Sequence, residues 1–155
     1  RGYLPEPALV AQDIQAQLKD LGITVNIVVM ESGAFLDASD RGDLPMYLLG
    51  WGATTYDALN TLQSLVHTRG SGSDGSYNLG RFSDPKIDAL IDAAKTETDM
   101  AKRDGMLREA LLLVKQNYYY LPVHHQMKPW AMKRNVNTVH KSDDRPESRY
   151  VVIGD

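Results

Sequence analysis

The chain has 155 residues, of which 43% are hydrophobic and 24% charged, a composition typical of one ordinary globular domain. Its formal net charge of −3 and pI near 5.8 give no general attraction to nucleic acid or anionic membranes. The absence of cysteine excludes disulfides, thiolate metal sites and cysteine nucleophiles. The amino terminus is neither a signal peptide nor an initiator methionine, so we expect the chain to begin inside a longer gene product or after processing.

The first third of the chain predicts helices and strands in alternation. Val10, Ile14 and Leu18 recur every four residues, which is typical of the apolar face of a helix that ends before Gly22. β-branched residues dominate the next segment and predict a strand, after which Ser32 is a candidate helix cap. The predicted elements are a helix over residues 5–21, a strand over 23–30, a short helix over 33–38 and a strand over 46–50.

A helical block occupies the middle of the chain. A helix is predicted over residues 57–67, and a Gly- and Ser-rich stretch over 69–76 predicts a flexible loop. Asp84 before Pro85 marks the start of a second helix, and Asp99 caps a third that ends near residue 116. The predicted apolar stripes of these two helices are Ile87, Leu90, Ile91 and Ala94, then Leu107, Ala110, Leu111 and Val114, widened by Leu112 and Leu113.

The order of the elements indicates the fold class. Helix, strand, helix and strand in succession predict an α/β layer whose first two strands pair in parallel through a right-handed crossover. Residues 118–126 predict a strand or an extended segment, and residues 150–153 a last strand or an arm with no local partner.

The most informative segment is the predicted strand that ends in Gly50-Trp51-Gly52. A polar loop with two threonines, a tyrosine and Asp57 follows it. Open α/β sheets build binding clefts in this way, because a buried strand delivers an aromatic wall and hydrogen-bonding groups to its carboxyl end. Trp51 has two interpretations, one as a wall of such a cleft and one as a core aromatic that closes the sheet.

The other polar candidates also have structural alternatives. Asp57 precedes a predicted helix, which favours an N-cap slightly over a ligand contact. Thr54 and Thr55 are typical turn formers, because their hydroxyls bond nearby backbone. Asn78 and Arg81 follow the Gly/Ser loop, and Arg81 is either a solvated side chain or a contact to a ligand or to a second lobe.

Several functions find no support in the sequence. His124 and His125 are adjacent on a predicted strand and point to opposite faces, while His67 and His140 stand in no ligand spacing, so we expect no metal or other cofactor. No nucleophile motif, phosphate loop or zinc-protease motif is present, which argues against an enzyme. The cations that flank Trp130, namely Lys128, Lys133 and Arg134, are too few for a nucleic-acid surface.

Several segments, in order, resemble the oligopeptide- and dipeptide-binding family of extracellular solute-binding proteins of ABC importers. The likeness extends over about residues 1–136. The segments that carry it are residues 11–23, the Leu48-Leu49-Gly50-Trp51-Gly52 run, residues 81–91 and the Leu121-Pro122-Val123 segment.

The resemblance implies one lobe of a two-lobed receptor. The expected fold is α/β, the C-terminal lobe of a type II periplasmic-binding-protein fold, with a mixed sheet flanked by helices over residues 1–135. Residues 136–155 would form a polar tail and a final strand or arm. The implied function is capture of a small solute, a peptide or a peptide-like compound, for delivery to a membrane permease. The implied location is periplasmic or extracellular, with membrane tethering of the full-length protein as an alternative.

The resemblance also implies which residues meet the ligand. The expected ligand-binding residues are Trp51, Gly52, Ala53, Thr54, Asp57, Asn78 and Arg81. Peptide-binding members carry an aspartate three positions after the tryptophan, which meets the amino group of the peptide, whereas this chain has Thr54. A threonine cannot supply that charge-assisted bond, so peptide specificity is left open. Alternatives to a receptor lobe are a small α/β enzyme fragment that uses the same cleft and a dimer formed through the exposed lobe interface or the C-terminal arm.

Overall fold

The computed structural model of the chain describes residues 6–53, 55–125, 129–141 and 145–154. It divides into two compact units, Arg1–Val123 and His124–Asp155. The domain boundary predicted between residues 135 and 136 stays a prediction. In the first unit five α-helices and one π-helical turn are described, and the second contains a two-stranded sheet and a 3₁₀ turn.

The first two helices form in the segments where they are predicted. Helix α1 spans Pro7–Asp20, and Gly22 follows it in the left-handed conformation with φ of 78°. Helix α2 spans Ser32–Arg41 and is longer than predicted. Its cap is Glu31 rather than Ser32, since the Glu31 carboxylate accepts a 2.9 Å hydrogen bond from the Gly33 amide. The predicted Ser32 cap is therefore wrong by one position.

The two predicted strands over residues 23–30 and 46–50 are not paired within the described part of the chain. Both segments lie outside helices and strands, and the first carries exposed apolar side chains such as Val29, which is 82% exposed. A strand persists only where a neighbour completes its hydrogen-bond ladder, and the described residues bring none to these segments. The predicted mixed sheet and its parallel pair are thus not formed among the residues that the structure describes.

The sheet that is described lies in the second unit. Strand β1, Val136–Asn137, pairs antiparallel with β2, Val152–Ile153, and Val136 lies opposite Ile153. The predicted last strand over residues 150–153 is confirmed in part, because the turn Ser148–Tyr150 takes up its first residue. Its partner is local, which corrects the alternative of an unpaired arm.

The core of the first unit is helical. Helix α3 spans Ala58–Thr61 and continues as a π-helical turn over Leu62–Val66. Helices α4, Pro85–Thr96, and α5, Met100–Gln116, pack against each other and against this turn. The buried cluster contains Leu62, Leu65, Val66, Ile87, Ile91, Ala94, Leu107, Ala110 and Val114.

The predicted caps and most of the predicted stripes are confirmed in this helical block. Asp84 accepts hydrogen bonds from the amides of the first turn of α4, and Asp99 does the same for α5. Leu111, which was predicted on the core face of α5, and Leu112, which was predicted to widen that face, are exposed. Helix α5 buries one side against α4 and the π turn, and the helical period turns Leu112 away from that side. Leu111, one turn after Leu107, lies at the edge of the buried face and lines an open groove. No helix in the described residues has the length and apolarity needed to cross a membrane.

Candidate functional site

Trp51 lies at the surface of the first unit, and a hydrogen bond from its indole N–H fixes the side chain. The indole Nε1–H donates a 3.1 Å hydrogen bond to Oγ1 of Thr61, the last residue of α3. The Trp51 side chain remains 38% exposed, so it is not a core aromatic in this structure. Of its two interpretations, an exposed wall fits this placement better than closure of the sheet.

A second aromatic ring supports Trp51 from the loop that precedes α4. The Tyr77 ring centroid lies 5.3 Å from that of Trp51, with the planes inclined by 59°. The Tyr77 amide donates a 2.9 Å hydrogen bond to the carbonyl of Ser64 in the π turn. Trp51 is therefore held by two groups, Thr61 and Tyr77, that are both anchored to the same short helical segment.

Asp57 caps α3 and pairs with α5. One carboxylate oxygen accepts a 2.9 Å hydrogen bond from the Leu59 amide, and the other lies 2.7 Å from Nη2 of Arg103. These two contacts, first the amide bond and then the guanidinium, hold the pKa of Asp57 below its ordinary value. The predicted N-cap is confirmed. Both oxygens are engaged within the chain, although each can accept a further hydrogen bond and the side chain is still partly exposed to the solvent.

A solvent-open groove of about 600 Å³ lies between the loop before α3 and helix α5. It has a mixed character, with apolar walls from α5 and charged groups of both signs. Arg103, its deepest cation, already pairs with Asp57 and donates to the Ala94 carbonyl at 3.2 Å. The lining residues are Thr55, Tyr56, Asp57, Ala58, Arg103, Asp104, Leu107, Arg108 and Leu111.

The remaining residues of the Trp51 loop are only partly described. Gly52 is exposed, and a side-chain carbon added at this position would meet no atom within 4 Å. Ala53 is half-buried, and Thr54 lies outside the described residues. Tyr56 is exposed with φ of 56°, which is an uncommon conformation for a bulky residue. The space around Gly52 leaves its backbone accessible for hydrogen bonds.

Asn78 lies in the interior and organises the loop before α4. Its side chain is completely buried, and its amide Nδ2 donates to the carbonyls of His67 at 3.1 Å and Phe82 at 2.8 Å. The side chain therefore joins the two ends of the loop. The structure does not bring it to the same surface as Trp51, although the adjacent Tyr77 does reach that tryptophan.

Arg81 turns toward the end of α2. Its guanidinium donates to the backbone carbonyl of Asp40, and Arg69 pairs with the Asp40 carboxylate at 2.6 Å. Arg69, followed by the more distant charge of Arg81, lowers the pKa of Asp40. Arg81 is exposed, and its guanidinium is bonded to the C-terminal end of α2, where a cation is favourable. It is not brought together with Trp51 or Asp57 by any described contact.

A further polar cluster forms where sequence spacing gave no sign of one. His67, Asp74 and Asp92 bring one ligand-type atom each to within 4.8 Å of one another. The ammonium of Lys95 lies 2.9 Å from Asp74 and 2.7 Å from Asp92, and it lowers the pKa of both carboxyls. An internal cation therefore already balances these acids, and the cluster fastens the 68–76 loop to α4.

The second unit contains an apolar cavity of about 370 Å³ whose lining includes Trp130, Met132 and Val151. The Trp130 and His140 rings meet edge-on at 4.5 Å. Lys133 and Arg134 are exposed, which agrees with the prediction of a solvated edge, while Lys128 lies outside the described residues. Of the predicted ligand residues that the structure describes, none lines this cavity.

Comparison with known proteins agrees with the motifs around this site. The family model described as "Bacterial extracellular solute-binding proteins, family 5 Middle" matches residues 2–73, a range that includes the Trp51 loop and α3. A probable di/tripeptide-binding protein of Pseudomonas aeruginosa is 31% identical over 121 residues, which are 78% of this chain and 23% of that protein. The chain belongs to the family 5 extracellular solute-binding proteins.

Other relatives of this family 5 chain carry names that refer to different ligands. A probable deoxycholate-binding periplasmic protein of Escherichia coli is 32% identical over 118 residues, covering 73% of this chain and 21% of that protein. A heme-binding protein A of Haemophilus influenzae is 28% identical over 127 residues, which are 82% of this chain and 23% of that protein. The chain thus spans less than a quarter of the length of these relatives.

Family membership confirms the predicted location. The family is described as extracellular, and the name of the Escherichia coli relative says periplasmic. The family 5 chain is therefore a periplasmic or extracellular protein, while its attachment to a membrane stays a prediction. Membership also implies the type II periplasmic-binding fold at the level of the family, although the sheet of that fold is not formed within the described residues.

Three residues that organise this family 5 site were not among the sequence predictions. Thr61, Tyr77 and Arg103 hold Trp51 and Asp57 in place. Arg103 is distant in sequence from Asp57, so only the fold reveals the pair. Thr61 lies four residues after Asp57 on a short helix, and that spacing alone could have indicated its position beside the Trp51 loop.

Proposed function

We propose that this chain is one lobe of the solute receptor of an ABC importer, the C-terminal lobe by its resemblance. The receptor captures a small solute, a peptide or peptide-like compound, between two lobes and delivers it to a membrane permease. The observation that carries this proposal is Trp51, an exposed indole held in a fixed orientation inside the segment that matches the family.

The unpaired strands of this lobe are consistent with a larger protein. Residues 23–30 expose Val28 and Val29, and a strand with apolar side chains and unpaired backbone groups needs a neighbour. The mixed sheet would form when other segments of the longer receptor pair with residues 23–30 and 46–50. The helical block of α3, α4 and α5 would then lie as one layer beside that sheet.

Each predicted ligand residue has a role in this proposal. Trp51 supplies an apolar wall, and the backbone at Gly52, Ala53 and Thr54 supplies hydrogen bonds to the solute. Asp57 holds the start of α3 and keeps the loop in position through Leu59 and Arg103. Asn78 and Arg81 have structural roles in this proposal. Asn78 is buried and holds the loop before α4, and Arg81 donates a hydrogen bond to the Asp40 carbonyl in α2.

The mechanism is closure of two lobes on the solute. A ligand that contacts both lobes binds the closed form better than the open form and shifts the equilibrium toward closure. The closed form then docks on the permease. An isolated lobe makes half of these contacts, so its affinity should be far lower than that of the whole receptor.

Calorimetry tests this account of affinity. A mixture of dipeptides and tripeptides is titrated into the longer receptor that contains this chain and into the 155-residue chain alone. We expect heat of binding with the receptor and little with the chain. Tight binding by the chain alone would contradict the two-lobe mechanism.

We propose a transport role without catalysis, because family 5 proteins are components of transport systems. The alternative is a small enzyme fragment that uses the same cleft. A hydrolase screen on the receptor tests it, with Asp57→Asn and His125→Ala as the informative variants. Turnover that either variant abolishes would favour the enzyme.

A further inference from the structure

We propose that Thr61 is the positioning residue for Trp51, and that the ligand meets the indole face and not the indole N–H. This inference deepens the proposed function and rests on it only for the identity of the ligand site. Thr61 Oγ1 accepts the Trp51 Nε1–H at 3.1 Å, so the polar edge of the indole is already used within the chain. What remains exposed is mainly apolar surface.

The acceptor is itself firmly held. Thr61 is half-buried at the junction of α3 with the π-helical turn, a type of element that is rare and often found at functional sites. At the other end of α3, Asp57 caps the Leu59 amide and pairs with Arg103 of helix α5. A series of contacts thus runs from α5 through α3 to the indole of Trp51.

Tyr77 limits the orientation of the indole from another direction. Its ring lies 5.3 Å from the Trp51 ring at an inclination of 59°, a tilted contact within the centroid distance at which aromatic rings interact. The backbone of Tyr77 is bonded to Ser64 in the π turn. With one edge bonded to Thr61 and one side packed on Tyr77, the indole has little freedom to rotate.

This geometry has a consequence for ligand chemistry. A ligand carbonyl or carboxylate cannot use the indole N–H unless the bond to Thr61 breaks, which would leave the Thr61 hydroxyl without this donor. An aliphatic or aromatic group can stack on the exposed face at no such cost. The part of the solute that contacts Trp51 is therefore an apolar group.

Indole N–H exchange measures the positioning role directly in the 155-residue chain. Thr61→Val keeps the shape of the side chain and removes the acceptor, whereas Thr61→Ser keeps the hydroxyl and is the matched control. We expect the Trp51 Nε1–H signal to exchange with solvent about threefold to tenfold faster in Thr61→Val, as loss of one net hydrogen bond predicts, and at the parental rate in Thr61→Ser. Far-UV circular dichroism verifies that both variants fold.

Fluorescence provides a second measurement. In a Trp130→Phe background Trp51 is the one remaining tryptophan, and excitation beyond the tyrosine absorption band isolates its emission. Thr61→Val should shift this emission and increase its quenching by acrylamide, while Thr61→Ser should not. Unchanged exchange and emission in a folded Thr61→Val would overturn the proposal, as would failure of Thr61→Ser to preserve the parental values.

Binding by the longer receptor separates this inference from the proposed function. With Ala-Phe and Ala-Asp as probes, Ala-Phe should bind more tightly, and Thr61→Val should weaken its binding about threefold to tenfold. Equal or tighter binding of Ala-Asp would contradict the apolar contact. If neither these probes nor a wider solute set binds while the exchange result holds, the proposed function fails and the positioning role stands.

Discussion

Asp57 illustrates how one carboxylate can serve two elements. It accepts the Leu59 amide at the start of α3 and pairs with Arg103 of α5, and both contacts favour its charged form. A group whose pKa is lower in the folded state stabilises the protein above its unfolded pKa. That stabilisation is lost as the pH falls through the lowered folded pKa.

The pH dependence of stability at Asp57 can be tested with two substitutions. Asp57→Ala should reduce the free energy of unfolding at pH 7 by about 1 kcal/mol, the usual value of a helix cap. Asp57→Asn keeps the cap but loses the charge, so its free energy of unfolding should fall less than that of the parent between about pH 4 and pH 2. Urea unfolding of the parent and the two variants, at pH 7 and then down to about pH 2, measures both effects. Parallel pH curves for parent and Asp57→Asn would contradict the assignment.

A substitution at Asn78 can distinguish a structural role of this residue from a contact with the ligand. Asn78→Ala removes both donors from the carbonyls of His67 and Phe82, so we expect a loss of about 2–3 kcal/mol in the free energy of unfolding. Urea unfolding gives this value, and calorimetry on the longer receptor gives the affinity. Normal stability together with abolished solute binding would restore the ligand contact that the sequence predicted.

At the scale of elements, the loop over residues 69–76 is more firmly held than its Gly- and Ser-rich composition indicates, both within the loop and at Thr68 just before it. The Gly75 amide bonds the Gln63 carbonyl at 2.8 Å, and Thr68 bonds Asp88 of α4. Gly75 has φ of 60°, and a Cβ there would lie 2.4 Å from the His67 carbonyl oxygen. The predicted flexible loop is thus an ordered support for Asn78 and Tyr77.

Gly75→Ala should therefore destabilise the chain more than Gly72→Ala. Both glycines have positive φ, but no atom lies within 4 Å of a Cβ at Gly72, so this control isolates the cost of the backbone conformation. We expect about 1 kcal/mol for Gly72→Ala and about 2 kcal/mol or more for Gly75→Ala. Thermal unfolding compares the two, and equal losses would show that the close approach at Gly75 is absent.

Helix α5 offers a matched pair of leucines. Leu107 is buried in the cluster that joins α4, whereas Leu112 is 51% exposed. Leu107→Ala should cost about 2–4 kcal/mol through lost burial and a cavity, and Leu112→Ala should change the free energy of unfolding by about 0.5 kcal/mol at most. Chemical denaturation of the 155-residue chain measures both. A comparable loss at Leu112 would mean that α5 buries its other face as well.

The features that the sequence predicts well are those set by neighbours in the chain. The caps Asp84 and Asp99 and the stripe around Ile87 and Ile91 depend on spacing within one helix, and the structure has them in place. The strands over residues 23–30 and 46–50 depend on partners elsewhere, so strand propensity alone could not establish them.

The same contrast holds for the candidate site. Its location at Trp51 follows from a local motif, and the N-cap role of Asp57 follows from its place before a helix. The contacts of Trp51 with Tyr77, and of Asp57 with Arg103, join residues far apart in the chain. Asn78 follows a Gly- and Ser-rich loop, whose composition gave no sign that this amide would be buried.

For the whole molecule, the exposed apolar segments and the family match support one lobe of a larger receptor. The chain spans about a quarter of the length of the relatives it matches, so completion of its sheet belongs to the proposal for the longer protein. Dimerisation through the exposed lobe interface or the C-terminal arm stays a prediction. Light scattering at high concentration measures it, and a strict monomer would count against it.

In the proposed receptor, the Trp51 loop forms one wall of the solute site. The most direct measurement is calorimetric titration of a dipeptide mixture into the longer receptor and its Trp51→Ala variant, with Trp130→Ala as the matched control. Removal of a well-placed aromatic contact should weaken binding by about 2 kcal/mol or more, roughly thirtyfold, while Trp130→Ala should bind as the parent does. Equal affinity of the parent and a folded Trp51→Ala would contradict the account.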